Sequence, residues 1–216
     1  LKGVVLRAHY NGLIPRNPFA QIHISPNVKE REYQTEDEIK RIMAHEFDNP
    51  TLALVRDLFI FACFTALSFV DMKELTTDEI VEVNGEKWIL SKRHKTNVPF
   101  QVKLLDIPLQ IIERYKYLSE DKLVFGKINY WTMCKQLKKV MAECGIEKQI
   151  SYHCARHTFG TLALSKGMPI ESVSRVLGHT NIVTTQIYAK ITTQKLDNDL
   201  TMFGNKLNAS FGSVTP

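Results

Sequence analysis

Along the chain the apolar positions change period twice, from helical spacing to strand alternation and back. Thr35-x-x-Glu38 precedes a periodic run through Ile39, Ile42 and Met43, the pattern of a capping-box helix start. Pro50 suits the first position of a second helix, predicted to run to about Phe64. Its interior, Leu52 to Ala62, is apolar almost all round, which predicts burial on most faces. The period then falls to two. Ile80-Val81-Glu82-Val83 alternates, Asn84-Gly85 signals a tight turn, Lys87-Trp88-Ile89-Leu90 pairs back, and Phe100 to Leu104 alternates again. Ser91 to Pro99 reads as the second hairpin loop. A sheet of three short strands needs helices behind it. Helical spacing returns after Pro108, over Leu109–Leu118, Trp131–Cys144, Ala155–Lys166, Pro169–Leu177 and Thr180–Ala189. Gly145, Gly167 and Gly178 supply the stops. The expected fold class is α+β, mainly α: a helical bundle with a small three-stranded antiparallel sheet.

The two ends read differently. Leu1 to Ala8 looks like a helix end stopped at Asn11-Gly12, and Pro15, Asn17-Pro18 and Pro26 follow in an extended linker. A helix end with nothing to pack against implies a domain upstream. The expected boundaries are therefore 1–30 for helix end and linker, 31–204 for one compact domain, and 205–216 for a small, polar, mobile tail.

Composition narrows the class. The 216 residues are 44% hydrophobic and 24% charged, which excludes overall disorder. The longest apolar run, Leu58 to Leu67, is far too short to cross a bilayer, so no membrane partner is expected. Cys63, Cys134, Cys144 and Cys154 form no CxxC pair and read as reduced thiols in a cytoplasmic protein. The formal charge of +5 is unevenly spread. Residues 85–104 hold Lys87, Lys92, Arg93, Lys95 and Lys103 against Glu86 alone. Residues 127–139 hold Lys127, Lys135, Lys138 and Lys139 with no acid, and Tyr130 and Trp131 interleave. Both stretches suit a phosphate backbone, making Lys92, Arg93, Lys135, Lys138 and Lys139 candidate DNA contacts. The acidic helix near 36–48 would face away from it.

Two segments carry candidate chemistry. In the first, His153 and Arg156 are three apart and share one face of a helix start. In the second, His179 follows a glycine stop and Tyr188 comes nine residues later. Arginine, histidine and tyrosine together suit attack by a phenol oxygen on a phosphodiester, with guanidinium and imidazole neutralising the phosphate oxygens. Each residue alone has a plainer reading. A tyrosine on a short helix is usually a packing aromatic. His153 and His157 are four apart beside Cys154, but the glutamate of an H-E-x-x-H site is missing, and no metal is expected. Lys92 to Lys95 can be a solvated hairpin tip. The joint spacing favours the chemistry.

These residues closely resemble the tyrosine recombinase (phage integrase) family. Its motifs H-x-x-R, L-G-H and a tyrosine nine residues after the last histidine are matched by His153-x-x-Arg156, Leu177-Gly178-His179 and Tyr188. Lys95-Thr96 stands where the family carries its β-hairpin lysine. Phe64 to Met72 resembles the segment T-G-L-R-x-x-E. Asn17-Pro18-Phe19 resembles the exit from the family's core-binding domain, so that 31–204 would be the catalytic domain. One departure matters: the family's first catalytic arginine falls at Ser68, and the usual glycine of that segment is Ala66. A serine has no charged fork for phosphate. Serine here resembles the integrases of conjugative transposons and related mobile elements, which implies a variant site. Arg56, twelve residues earlier and about three helical turns away, is the candidate replacement. Its rival reading is a structural ion pair with Asp57 or Asp71.

The resemblance implies the roles. Tyr188 is the nucleophile that forms a 3′-phosphotyrosyl link, Arg156 clamps the scissile phosphate, and His179 donates to a nonbridging oxygen. His153 is the general base, and Lys95 protonates the leaving 5′-oxygen. No cofactor is implied. The partners are double-stranded DNA, further copies of the chain in a tetramer, and accessory DNA-bending proteins. The segment after Tyr188, with Leu196, Leu200, Met202 and Phe203, would dock on a neighbour. The expected function is site-specific recombination in integration or excision of a mobile element, in the bacterial cytoplasm. A type IB topoisomerase and a non-catalytic DNA-binding relative, the latter motivated by Ser68, stand as alternatives.

Overall fold

The computed structural model describes residues 1–21, 32–189 and 193–212. The chain divides into two units, Leu1–Glu30 and Arg31–Pro216. In the first, helix α1 (Lys2–Tyr10) ends at Asn11, Gly12 turns at φ +71°, and no residue of the helix is buried. The Pro26 part of the expected linker lies outside the described residues.

The second unit opens with α2 (Glu36–Ala44). The Thr35 hydroxyl accepts from the Glu38 N–H at 3.2 Å while the Glu38 carboxylate accepts from the Thr35 N–H at 2.7 Å, the capping box read in the sequence. The remaining helices are α3 (Pro50–Thr65), α4 (Phe69–Lys73), α5 (Asp106–Arg114), α6 (Tyr130–Glu143), α7 (His153–Ser165), α8 (Ile170–Leu177), α9 (Val183–Gln186) and α10 (Thr193–Phe211). The apolar α3 is the central element and packs against α2, α5, α6 and α7. Leu58, Phe59, Ile60 and Phe61 are essentially inaccessible to solvent, so consecutive residues on every face are buried, as an all-round apolar helix requires.

Strands β1 (Ile80–Val83), β2 (Glu86–Lys92) and β3 (Pro99–Lys103) form one antiparallel sheet in the order β1-β2-β3. Asn84 at φ +53° and Gly85 at φ +78° provide the two left-handed residues of the first hairpin turn. Register pairs Ile80 with Ile89 and Ile89 with Val102, and Ile89, Phe100 and Val102 are buried.

Four elements differ from the sequence reading. α5 begins before Pro108, which sits in the first turn where its missing N–H costs nothing, and the helix stops at Arg114 before a 3₁₀ turn over Lys116–Leu118. α4 spans five residues, too few for a period to show. α9 is a single turn where a longer helix over Thr180–Ala189 was expected. The tail expected from Asn205 is helical as far as Phe211. Leu200, Phe203, Leu207 and Phe211 repeat at helical spacing there and are exposed.

Two hydrophobic clusters result. The large one surrounds α3; the small one joins Ala66, Leu164, Val173, Leu177 and Tyr188. All four cysteines are free, and three of them are buried. Among the described residues no helix is long and apolar enough to cross a membrane.

Candidate active site

The site is assembled around the C-terminal end of α8. A helix leaves its last carbonyls without intrahelical partners and carries partial negative charge at that end. Two arginines from distant parts of the chain occupy it. Arg93 Nη2 donates to the Val176 carbonyl at 2.6 Å, and Arg156 Nη2 donates to the next carbonyl, that of Leu177. Arg156 Nη1 also donates to the Ala66 carbonyl at 3.1 Å. Ala66 ends α3 in the left-handed conformation, φ +58°, which explains why glycine is the residue the resemblance leads one to expect there.

Gly178 closes α8 at φ +62°. A Cβ at this position would lie 3.1 Å from Arg93 Cγ and Nε, so the glycine serves both the turn and the close passage of the arginine. His179 then projects back. Its Nδ1 is 2.8 Å from the Thr185 hydroxyl, and its ring is parallel to that of Tyr188, with 6.5 Å between centroids and 9° between planes. Tyr188 belongs to the small cluster and is 8% exposed. Its ring rests on α7 at Gly160, where a Cβ would come within 2.9 Å of it. His157 packs on the Tyr188 ring at 5.3 Å and against His153 edge-on at 4.9 Å. His153 itself is exposed at the first position of α7.

The electrostatics follow from two guanidiniums held side by side. Burial, and then the charge of Arg93, pull the Arg156 pKa down to about 10, still well above neutrality. Burial, Arg156 and Arg93 pull the His179 pKa down to about 4, so its imidazole is uncharged at pH 7. Burial pushes the Asp71 carboxyl up, but hydrogen bonds from the His94 N–H, from Arg93 and from the Ser68 hydroxyl bring it below the ordinary aspartate value.

Asp71 lies beside Ser68, where the resemblance leads one to expect an arginine. Ser68 N-caps α4, and its hydroxyl donates to Asp71 Oδ2 at 2.8 Å. Arg93 Nη1 donates to the same oxygen at 2.9 Å, the His94 N–H donates to Oδ1 at 3.0 Å, and the Arg93 guanidinium lies 3.9 Å above the Phe100 ring. The β2–β3 hairpin thus places a guanidinium beside Ser68 on the same carboxylate oxygen. This corrects the reading of Arg93 as a surface contact to DNA: it is 5% exposed.

It also corrects the expectation for Arg56. That side chain closes the C-terminal end of α2, donating from Nη1 to the carbonyls of Ile42 at 3.4 Å, Met43 at 3.3 Å and His45 at 2.7 Å. It pairs with buried Asp57, which also accepts from Arg114 at 2.7 Å and from the Tyr115 hydroxyl at 2.8 Å. Ten residues of α3, roughly 15 Å of rise, separate Arg56 from Ala66. The ion pair with Asp57 is the reading that the geometry bears out.

The other cations are peripheral. Lys95 stands exposed at the hairpin tip, and Lys92 is exposed on β2. Lys135, Lys138 and Lys139 are exposed on α6 at helical spacing, with Lys135 Nζ 4.8 Å from the centroid of the exposed Trp131 ring. Among the described residues no group of three His, Cys, Asp or Glu side chains is placed to hold a metal ion. Sequence reasoning did not mark Thr185 or Gly160, and it took Arg93 for a surface contact to DNA and Asp71 for a possible ion-pair partner of Arg56. Gly178 gave a signal only for the turn.

Comparison with known proteins identifies the fold and the family. A tyrosine recombinase of Thermosipho africanus is 26% identical over 192 residues, covering 86% of this chain and 66% of that protein. The tyrosine recombinase XerA of Saccharolobus solfataricus is 36% identical over 147 residues, covering 66% of this chain and 47% of that one. This chain therefore spans less than two thirds of the length of these curated relatives. The solved structure of the Tn1549 transposon integrase in complex with a circular intermediate DNA matches with a TM-score of 0.71 at 16% identity, over 93% of this chain and 76% of that chain. The fold is that of a tyrosine recombinase catalytic domain. Residues 32–195, which include every motif of the site, match the phage integrase family, and the chain belongs to that family.

Proposed function

We propose that this chain carries the catalytic centre of a site-specific DNA recombinase, acting in integration or excision of a mobile element. The observation that supports it most is the placement of two guanidiniums and a neutral imidazole beside one buried tyrosine. In this reading the Tyr188 oxygen attacks the scissile phosphorus, an O–P bond forms to the enzyme, and the bond to the 5′-oxygen breaks. The phenol proton passes to His153, and Lys95, on the exposed hairpin, protonates the departing 5′-oxygen. Arg156 and Arg93 hold the negative charge of the phosphate, and His179 donates to a nonbridging oxygen. Arg93 takes the place of the arginine expected at 68, while Ser68 caps α4. The phosphotyrosine keeps the diester energy, so rejoining requires no cofactor. Lys92 and the α6 lysines track the duplex. Exposed Leu196, Leu200, Met202 and Phe203 on α10 suit docking on a second copy within a tetramer, and accessory DNA-bending proteins would complete the assembly in a bacterial cytoplasm.

A suicide duplex nicked beside the cleavage site tests this. Wild-type protein should form a covalent protein–DNA band, and Tyr188→Phe should lose the band while still shifting the DNA. A band that persists in Tyr188→Phe refutes the nucleophile. Binding without any band identifies a DNA-binding relative, and relaxation of plasmids without exchange between two sites identifies a topoisomerase.

A further inference from the structure

Thr185 is buried with no measurable exposure, and its hydroxyl makes one hydrogen bond among the described residues, the 2.8 Å contact with His179 Nδ1. A threonine hydroxyl carries a single proton, and a neutral imidazole carries one proton on one of two nitrogens. Two arrangements are open. If Nδ1 carries the proton and donates to Thr185, the threonine O–H is left buried with no acceptor. Thr65 and Thr158 send theirs to the carbonyl four residues back, at 2.8 and 2.9 Å, but Thr185 makes no such bond. If the Thr185 O–H donates to Nδ1, the buried hydroxyl proton has its acceptor, and the ring proton is forced onto Nε2. Nε2 has no protein partner among the described residues, so its N–H is the one directed to an incoming group. The same residue also holds the nucleophile, because the Tyr188 N–H donates to the Thr185 carbonyl at 3.0 Å.

We propose that Thr185 is a positioning residue for the strand-transfer site: its hydroxyl fixes His179 as the Nε2–H tautomer, so that an uncharged imidazole donates to a phosphate oxygen. Burial and the two neighbouring arginines keep the ring uncharged, with a pKa of about 4, so a donor at Nε2 depends on the tautomer and not on protonation. The proposal rests on the recombinase reading for what the donor serves, but its structural content is independent of DNA.

The test uses two readouts. Long-range ¹H–¹⁵N correlation on ¹⁵N-histidine-labelled protein without DNA should report the Nε2–H form of His179 in the wild type and in Thr185→Ser, and loss of that preference in Thr185→Val. On the nicked duplex, Thr185→Val should form the covalent adduct on the order of tenfold or more slowly, and Thr185→Ser should restore the rate. A wild-type ring protonated on Nδ1 overturns the proposal, whether or not the valine variant folds. So does a valine variant that keeps both the Nε2–H form and the wild-type rate. Failure of wild-type protein to form any adduct would sink the recombinase reading alone, since the tautomer is read without DNA.

Discussion

Two buried carboxylates, Asp57 and Asp71, each hold an arginine, and the two pairs do opposite things. At Asp57 the partner Arg56 also donates to three carbonyls at the end of α2, and Arg114 and Tyr115 complete the shell. The positive charge is spent on closing the fold. At Asp71 the partner Arg93 shares the end of α8 with Arg156 and lowers the pKa of both Arg156 and His179. There the carboxylate positions a cation that acts on other charges. A buried arginine is therefore identified by the groups it perturbs, and Arg93, not Arg56, perturbs those of the site.

The largest effect expected from this contrast is in Arg93→Ala. Removing one preorganised donor from a phosphate site lowers the rate by about 10²–10³-fold, read as covalent adduct formed per folded molecule. Arg93→Lys keeps the charge but loses the fork, and should recover folding more than rate. Equal rates in Arg93→Ala and wild type would erase the distinction. Next comes Arg56→Ala, which leaves Asp57 with Arg114 and Tyr115 alone. It should lower unfolding stability by about 3 kcal/mol in denaturant titration and leave the adduct rate per folded molecule unchanged.

A smaller effect concerns His179. Its titration by NMR should have a midpoint of about 4 in the wild type, rising toward the ordinary histidine value in Arg93→Lys or Arg93→Ala only as far as Arg93 contributes. Burial and Arg156 remain. A folded-state pKa of about 4 against an unfolded 6.5 means that the folded protein binds fewer protons in between. The stability tied to this ring is therefore complete above pH 6.5 and is lost as pH falls toward 4. The smallest effect expected is in Ala66→Gly, which relieves a left-handed alanine at φ +58° and should raise stability by about 1 kcal/mol or less.

Local pattern made much of this molecule legible. Periodicity gave the helices and the strand alternation, Asn84-Gly85 gave the hairpin, and the all-round apolar run gave the buried α3. The spacing of His153, Arg156, His179 and Tyr188 pointed to one site, because those residues lie on short neighbouring segments where a few helical turns determine which side chains meet. The five-residue α4 was hidden because it is too short to show a period, and the extent of α10 was hidden because the small, polar residues after Asn205 masked the spacing of Leu207 and Phe211.

The choice between Arg56 and Arg93 could not be made along the chain. Arg93 stands among polar and basic residues, Ser91 to Asn97, and Arg56 looked the more anomalous because its helix is so apolar. Folding brings a hairpin 25 residues beyond Ser68 against the end of a helix 83 residues beyond the hairpin arginine. Such contacts depend on how the sheet and α8 pack, and no local spacing encodes them. The same holds for Thr185, whose hydroxyl acquires a meaning only once burial removes water as its alternative partner. The sequence specified which chemical groups were present and on which elements they ride; packing assigned each buried charge its counterpart and each buried proton its acceptor.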